Sequence, residues 1–156
     1  MSQRTRLDGE TTWRMGLIGD PVAQSLSPAL HDAAFRSHAL RASYELWPTS
    51  PTELPARLTR LRDADILGAN VTIPHKLAVM SHLDEITPLA SRAGAVNTIV
   101  HRDGRLIGEN TDIEGFTAAL SGVRLDVSGR EALVLGAGGA ARAVVLGRGQ
   151  NYDRES

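Results

Sequence analysis

The amino-acid sequence predicts an α/β fold in which helices flank a mostly parallel sheet. Three short apolar runs, each closed by a proline-containing turn, are read as strands and span residues 13–19, 43–48 and 67–73. Segments whose apolar residues recur at helical spacing lie between these runs. This alternation favours parallel strands, because a parallel connection needs a crossover long enough to hold a helix.

The first two helices are predicted from their start signals and their apolar spacing. Ser27 is a suitable N-cap and Pro28 a suitable first residue for a helix that runs to about His38. One apolar face of this helix is expected to hold Leu30, Ala34 and Phe35. A second amphipathic helix is predicted over residues 52–63, and its apolar stripe consists of Leu54, Leu58 and Leu61.

The rest of the chain adds further helices, a hairpin and one more strand. A helical stretch interrupted by Pro88 reaches Arg92, and a hairpin then pairs residues 96–101 with 105–109 around Asp103-Gly104. A helix opens at Thr111-Asp112 and continues to 119 or 120. A buried strand is predicted over 132–135, directly before a glycine-rich loop and a last helix.

A segment rich in Gly and Ser, residues 121–130, is predicted to separate two domains. The first domain then spans 13–121 and the second 122–156, after a leader over 1–12 that is expected to be disordered. This leader is polar and charged and lacks the apolar region of a signal peptide.

Composition excludes several classes of function. Hydrophobic residues at 42% and charged residues at 22% indicate a globular chain. A net charge of −1 without a long basic run argues against a nucleic-acid partner. No apolar stretch approaches the roughly 20 residues that cross a bilayer, so no membrane partner is predicted. The absence of cysteine excludes disulfides, thiolate metal sites and a cysteine nucleophile, and it is compatible with a cytoplasmic location.

The first candidate site is a loop that carries Ser25 and Ser27 into the start of a helix. Exposed amides and the positive end of the helix dipole favour an anion at such a place, and two hydroxyls can donate further hydrogen bonds. A carboxylate is a suitable guest. On local chemistry alone, the simpler interpretation, in which Ser27 only caps the helix and Ser25 is solvated, is modestly favoured.

The second candidate site follows the third predicted strand. The strand end presents Asn70 and Thr72 on one side, and Lys76 lies on the first turn beyond it. Ligands of open α/β sheets bind at the carboxyl ends of strands. A lysine held there can act as an acid or a base, although a solvated lysine after a turn is the commoner outcome. His75 is expected to be structural or solvated.

The third candidate combines Asn97, at the start of one hairpin strand, with Asp112, at the start of the next helix. Helix capping is the strong alternative for Asp112. Capping and catalysis are compatible, however, and a carboxylate beside Lys76 would hold the lysine charged.

The fourth candidate is the loop Gly136-Ala-Gly-Gly-Ala-Ala141, which fits the Gly-x-Gly-x-x-Gly/Ala pattern of Rossmann-like dinucleotide sites. A glycine-rich loop is by itself weak evidence. Its place after a predicted strand and before a predicted helix is the one that such a loop requires, and this strengthens the interpretation.

Taken together and in this order, the four segments resemble the shikimate/quinate dehydrogenase family. The resemblance covers roughly residues 15–145, and it implies a substrate-binding catalytic domain followed by the start of a dinucleotide-binding domain. It implies that Ser25 and Ser27 bind the substrate carboxylate, and that ring hydroxyls are bound by Asn70, Thr72 and Asn97. It implies that Lys76 and Asp112 form the catalytic pair and also contact the substrate. The implied cofactor loop consists of Gly136, Ala137, Gly138, Gly139 and Ala140.

The reaction implied by the resemblance is the reversible, NADP-linked reduction of 3-dehydroshikimate to shikimate, on the route to chorismate and the aromatic amino acids. NAD in place of NADP and quinate in place of shikimate are alternatives. Further alternatives are a fragment that binds a shikimate-like acid without turnover, and an inert remnant. Shikimate or 3-dehydroshikimate is the expected partner, and association into a homodimer is left open.

The sequence departs from the family in its second domain. A dinucleotide-binding domain needs two mononucleotide-binding halves, and each strand–helix–strand unit takes about 30 residues or more. Only one predicted strand and one helix follow residue 131. The expectation is therefore a truncated Rossmann-like second domain with weak cofactor binding, whose residues 132–146 fray or aggregate unless they are covered.

Overall fold

A computed structural model describes residues 11–123, 127 and 130–152 of the chain. The leader predicted over 1–12 lies almost entirely outside the described residues, and so does part of the boundary segment predicted over 121–130. The strands are β1 (Trp13–Gly19), β2 (Ala42–Pro48), β3 (Ile66–Val71), β4 (Glu85–Ile86), β5 (Thr98–Arg102) and β6 (Arg105–Glu109).

The helices alternate with these strands, but the stretch predicted as a helix interrupted by Pro88 is wrong: it contains a short 3₁₀ helix, strand β4 and a separate helix that begins at Pro88, because proline suits the first turn of a helix. The helices are α1 (Ser27–Ser37), α2 (Leu54–Arg60), α3 (Pro88–Ala93), α4 (Asp112–Gly122) and α5 (Gly139–Tyr152), with the short 3₁₀ helix over Ala78–His82. The α/β class is therefore confirmed. None of the described helices combines the length and the apolar content that a membrane span requires.

The six strands form one mixed sheet in the order β2-β1-β3-β5-β6-β4. The pairs β1–β2, β1–β3 and β4–β6 are parallel, whereas β3–β5 and β5–β6 are antiparallel. The predicted predominance of parallel pairing thus holds for three of the five pairs. The predicted hairpin is confirmed, and its turn residues Asp103 and Gly104 have φ values of 51° and 76°, as a two-residue hairpin turn requires.

Neighbouring residues of a strand point to opposite sides of the sheet, and apolar side chains are packed on both of its faces. On one face, Ile18 and Val71 pack with the predicted α2 stripe, in which Leu61 is fully buried. On the other face, Leu17 and Tyr44 pack against Phe35 of α1.

The predicted apolar face of α1 is wrong except for Phe35. Leu30 is 68% exposed and Ala34 is exposed, while Asp32 lies toward the sheet and accepts a hydrogen bond from the Tyr44 amide at 3.2 Å. The helix is therefore seated by a polar contact as well as by apolar packing.

Ser27 is also not the N-cap of α1. Leu26 occupies that position without a side-chain capping bond, and Ser27 is the first residue of the helix. The Ser25 hydroxyl accepts from the Ser27 amide at 3.2 Å, so the serine that satisfies this helix end is the one before the helix.

The predicted strand over 132–135 is wrong, although the helix after it is confirmed. Residues 132–135 form no strand, and Leu133 and Leu135 are 85% and 86% exposed. A strand needs a neighbour to pair its backbone groups, and no described strand pairs with this segment. Helix α5 does not share this exposure, because its Ala143 is buried against Ala95 and Ile113.

Candidate active site

The candidate site lies at one edge of the sheet, where the topology gathers residues that are far apart in sequence. Parallel strands β1 and β3 both end at this edge. Because β5 runs antiparallel to β3, its first residue Thr98 pairs with Asn70, near the end of β3. Thr98 also pairs with Glu109, the last residue of β6. The segments after β1, β3 and β6 therefore meet the segment before β5.

Lys76 and Asp112 form an ion pair at this edge. The Lys76 ammonium donates to Asp112 Oδ2 at 2.5 Å, and the two side chains are only 15% and 30% exposed. The backbone of Lys76 is held as well, since the Val96 amide donates to its carbonyl at 2.8 Å. The ammonium group has two further N–H bonds with which to contact a ligand.

Asn97 fixes the other oxygen of the aspartate. Its amide nitrogen donates to Asp112 Oδ1 at 2.8 Å and to the Thr111 hydroxyl at 3.0 Å. Its carbonyl oxygen accepts from the Thr111 amide at 2.9 Å and from the Thr98 hydroxyl at 3.1 Å. Asn97 is 9% exposed, so this arrangement is a nearly buried polar hub that holds Asp112 in one orientation.

Asn110 takes over the capping role that the sequence offered to Asp112. Its side-chain oxygen accepts from the amides of Asp112 and Ile113 at 3.1 and 3.4 Å, and its nitrogen donates to the Ala95 carbonyl at 2.9 Å. Asp112 opens α4 as predicted, but its carboxylate accepts hydrogen bonds from Lys76 and Asn97 instead of from the amides at the helix end. Because Asn110 caps the helix, the Asp112 carboxylate is available to bind the Lys76 ammonium group.

The network continues from Thr98 to a buried tyrosine. Asn70 donates to the Thr98 hydroxyl at 3.2 Å and accepts from the Tyr44 hydroxyl at 2.7 Å. Burial raises the pKa of Tyr44 to about 12, so the hydroxyl remains a donor across the physiological range. Thr72 lies next to the end of β3, and its hydroxyl bonds to no other described residue.

Helix α1 joins the same edge through His31. The His31 ring stacks on Tyr44 with ring centroids 4.1 Å apart, and burial lowers the pKa of His31. Ser27 lies one turn before His31 on the same helix face. The Ser25 hydroxyl donates to the Ser27 hydroxyl at 2.9 Å, which leaves the Ser27 proton free for an outside acceptor.

His75 is structural, the first of the two roles expected for it. It is 1% exposed, and its Nε2 lies 2.6 Å from the Thr49 carbonyl oxygen. It therefore anchors the turn that precedes Lys76 and takes no part in the polar network around Asp112.

The glycine-rich loop divides into two parts. Residues 136–138 are exposed at the start of α5, and Gly136 has a φ of 124°, a conformation that favours glycine. Gly139 is buried instead and lies against the Lys76 side chain. In the described part of the chain, no cluster of three or more candidate metal ligands is found.

Sequence reasoning missed Tyr44, His31 and Asn110. Tyr44 was part of a predicted strand, but the face it occupies depends on the pairing of β2 with β1. Asn110 stands two residues before Asp112, and an asparagine there can cap a helix, so local chemistry offered a signal.

Fold and site together define a class of protein. It is an α/β domain that presents an ammonium–carboxylate pair, hydroxyls and amides to a small polar ligand at the carboxyl edge of its sheet. Comparison with known families narrows this class, because residues 17–99, more than half of the chain, match the shikimate dehydrogenase substrate binding domain. The chain belongs to the shikimate dehydrogenase family.

Individual relatives agree with this assignment. Shikimate dehydrogenase (NADP(+)) of Symbiobacterium thermophilum is 52% identical over 132 residues, which cover 85% of this chain and 45% of that protein. The chain spans about half the length of the curated relatives it matches.

Solved structures give the same result for the fold. Shikimate 5-dehydrogenase of Thermus thermophilus in complex with shikimate superimposes with a TM-score of 0.84 at 47% identity, over 89% of this chain and 53% of that one. The complex of the same enzyme with NADP(H) and shikimate gives a TM-score of 0.83 at 47% identity, over 89% and 52% of the two chains.

Proposed function

We propose that this chain provides the substrate site of an NADP-linked shikimate dehydrogenase, which reversibly reduces 3-dehydroshikimate to shikimate. The observation that carries the proposal is the ion pair of Lys76 and Asp112, held by Asn97 at the ligand-binding edge of the sheet. Membership of the family and the names of the relatives supply the substrate.

The proposed substrate contacts come from polar side chains at the same edge of the sheet as the Lys76–Asp112 pair. Ser25 and Ser27 bind the carboxylate, because Ser27 has a free proton at the start of α1, where the helix dipole favours an anion. The ring hydroxyls are bound by Thr72, whose hydroxyl has no described partner, and by the amides of Asn70 and Asn97.

The proposed chemistry is a proton transfer coupled to hydride transfer. A nicotinamide cofactor bound at the glycine-rich loop would supply the hydride that the carbonyl carbon accepts. Lys76 then stabilises the negative charge that develops on the carbonyl oxygen and donates a proton to it, which completes the alcohol. Asp112 keeps the ammonium group in place, and Asn97 keeps Asp112 in place. In the reverse direction, Lys76 accepts the proton of the same hydroxyl.

The glycine-rich loop fits one part of a dinucleotide. Residues 136–138 expose their backbone at the start of a 14-residue helix, and a Cβ built on Gly138 meets nothing within 4 Å. Such a loop can hold a pyrophosphate, and the proposed cofactor contacts come from Gly136, Ala137, Gly138, Gly139 and Ala140. NADP is proposed because the relatives are named for it, and NAD is the alternative.

A second candidate function is binding of shikimate without turnover. It is favoured by the location of the proposed substrate contacts, because Ser27, Asn70 and Asn97 all lie within the matched substrate binding domain, residues 17–99. Quinate in place of shikimate is an alternative substrate for both candidates. A cytoplasmic location and a homodimer remain proposals, and light scattering tests the second of them.

Titration calorimetry with shikimate on the purified chain tests the substrate assignment. We expect saturable binding that Ser27→Ala weakens by about tenfold or more, since a hydrogen bond to a charged group is lost. Ser37→Ala is the matched control, because Ser37 lies at the exposed end of the same helix and bonds only locally. No binding by the folded chain, or equal weakening by the two variants, contradicts the proposal.

An assay of NADP reduction with shikimate separates the two candidates. Turnover by the chain, abolished in Lys76→Met, supports the dehydrogenase. Binding without turnover supports the second candidate. Lys76→Met retains the length of the side chain but not its proton, so its loss in turnover is expected to be about a hundredfold or more.

A further inference from the structure

We propose that Gly139 is a positioning residue for Lys76: the absence of a side chain at 139 lets helix α5 seat directly on the hydrocarbon stem of Lys76 and hold its ammonium group against Asp112. The proposal rests on the proposed function only in giving Lys76 the proton that is transferred. It assigns Gly139 a role toward the acid–base pair in addition to any contact with a cofactor.

The contact is closer than ordinary packing would allow with a larger residue. A Cβ at position 139 would stand 3.1 Å from Cδ and 3.2 Å from Cβ of Lys76, and 3.2 Å from Cβ of Ala95. All three distances are shorter than an ordinary van der Waals separation of carbon atoms. A Cβ at position 139 would therefore require Lys76 or Ala95 to move by a few tenths of an ångström.

The other glycines of the loop lack this constraint. A Cβ on Gly138 meets nothing within 4 Å, and one on Gly136 meets only Ala141 at 4.0 Å. Residues 136 and 138 are exposed, whereas Gly139 is buried. Residues 136–138 are therefore accessible to a ligand, whereas Gly139 is covered by Lys76.

Helix α5, Ala95 and the backbone of Lys76 are all held in place. Helix α5 is anchored by Ala143, which is 1% exposed, and by Arg142, which donates to the Gly94 carbonyl at 3.2 Å. Ala95 is fully buried, and the Lys76 carbonyl is held by the Val96 amide. The flexible part is the Lys76 side chain, so an added methyl group at 139 displaces that side chain and weakens its bond to Asp112.

The sequence provides a direct probe, because Lys76 is the only lysine in the chain. Labelling with ¹⁵N-lysine therefore gives one side-chain ammonium signal, and its chemical shift and proton exchange with water report the ion pair. The measurement needs neither substrate nor cofactor. Failure of the proposed function, seen as a lack of shikimate binding, is thus distinguishable from failure of this proposal.

The test compares Gly139→Ala with the matched control Gly138→Ala. We expect Gly139→Ala to shift the ammonium signal and to speed its proton exchange by about tenfold. The free energy of one charge-assisted hydrogen bond corresponds to a change of about that size in the population of the paired state. Gly138→Ala is expected to leave both unchanged. An unshifted signal in folded Gly139→Ala, or an equal shift in the control, overturns the proposal.

A second variant keeps the proposal testable if Gly139→Ala does not fold. Arg142→Ala removes an exposed tether of α5 but leaves the buried Ala143 in place. Because the seat of α5 on Lys76 is loosened, the ammonium signal must move and its protons must exchange faster. An ammonium signal identical to that of the unaltered chain in this variant overturns the proposal.

Discussion

Around Asp112, single residues act through a continuous chain of hydrogen bonds. The chain runs from Lys76 through Asp112 and Asn97 to Thr98, and from there through Asn70 to the hydroxyl of Tyr44. Each member satisfies a neighbour that would otherwise be a partly buried, unpaired polar group, so the orientation of Asp112 depends also on Thr98 and Tyr44, which are not among the proposed substrate contacts.

Tyr44→Phe tests the outer end of this chain. Removing the hydroxyl leaves the side-chain oxygen of Asn70 without its donor, so we expect the free energy of unfolding to fall by about 1 kcal/mol and shikimate affinity to fall severalfold. Urea denaturation and calorimetry measure the two effects. Unchanged affinity with reduced stability would show that Tyr44 is structural and does not position Asn70.

Protonation of His31 tests the stack on Tyr44. Burial lowers the pKa of His31 from 6.5 in the folded protein, so the folded state binds fewer protons than the unfolded state once the pH falls below about 6.5. The stability conferred by the neutral ring is therefore complete above that pH and decreases as the pH falls through the folded-state pKa. Asp32 partly opposes this effect by its charge.

The measurement is the urea midpoint at about pH 7.5 and about pH 5.5. We expect a lower midpoint at the acidic pH, and we expect His31→Gln to reduce the difference. His38→Gln is the control, because His38 is exposed at the end of the same helix. An equal pH dependence in His31→Gln and the unaltered chain would contradict the assignment.

The sequence predicted which helices and strands form, and in what order, better than it predicted which side of a helix faces the sheet. The hairpin and the α2 stripe were predicted because turn chemistry and helical spacing are local properties. The side of α1 that faces the sheet was not predicted, because it depends on a hydrogen bond that Asp32 accepts from the Tyr44 amide of strand β2. The convergence of Asn70, Asn97 and Asp112 likewise depends on β5 running antiparallel to β3, which no local pattern encodes.

Two glycine substitutions test how closely the elements approach. A Cβ on Gly68 would come within 2.1 Å of the Ile99 carbonyl oxygen, and its φ is 152°, so Gly68→Ala must disturb the β3–β5 pairing. Gly115 in α4 has open space around it, and Gly115→Ala is expected to stabilise the fold by about 0.5–1 kcal/mol. Thermal melts that move in the same direction for both variants would refute this reading of the packing.

The described part of the molecule has well-covered faces on its sheet and an uncovered segment near residue 133. The sequence predicted a buried strand over 132–135 from its apolar run, but a strand forms only where a neighbour pairs with it. Helix α5 packs against α3 and α4 through Ala143, and it brings Gly139 to Lys76. The glycine-rich loop thereby contacts the Lys76–Asp112 pair of the proposed substrate site within this chain.

Two leucine substitutions separate covered from uncovered surface. Leu61 is fully buried, and Leu61→Ala is expected to lower the free energy of unfolding by about 2–5 kcal/mol. Leu135 is 86% exposed, and Leu135→Gln is expected to change it by less than about 0.5 kcal/mol. A large loss of stability in Leu135→Gln would mean that the segment is covered in solution.

The most direct test of the account is a titration of the ¹⁵N-lysine-labelled chain with shikimate, because the one lysine signal reports the ammonium group that is proposed to meet the substrate. We expect a saturable shift of the Lys76 signal with shikimate and a much smaller one with benzoate, a ring carboxylate without hydroxyls. A Lys76 signal that stays in place at saturating shikimate would contradict the central claim that Lys76 and Asp112 form the substrate-facing pair.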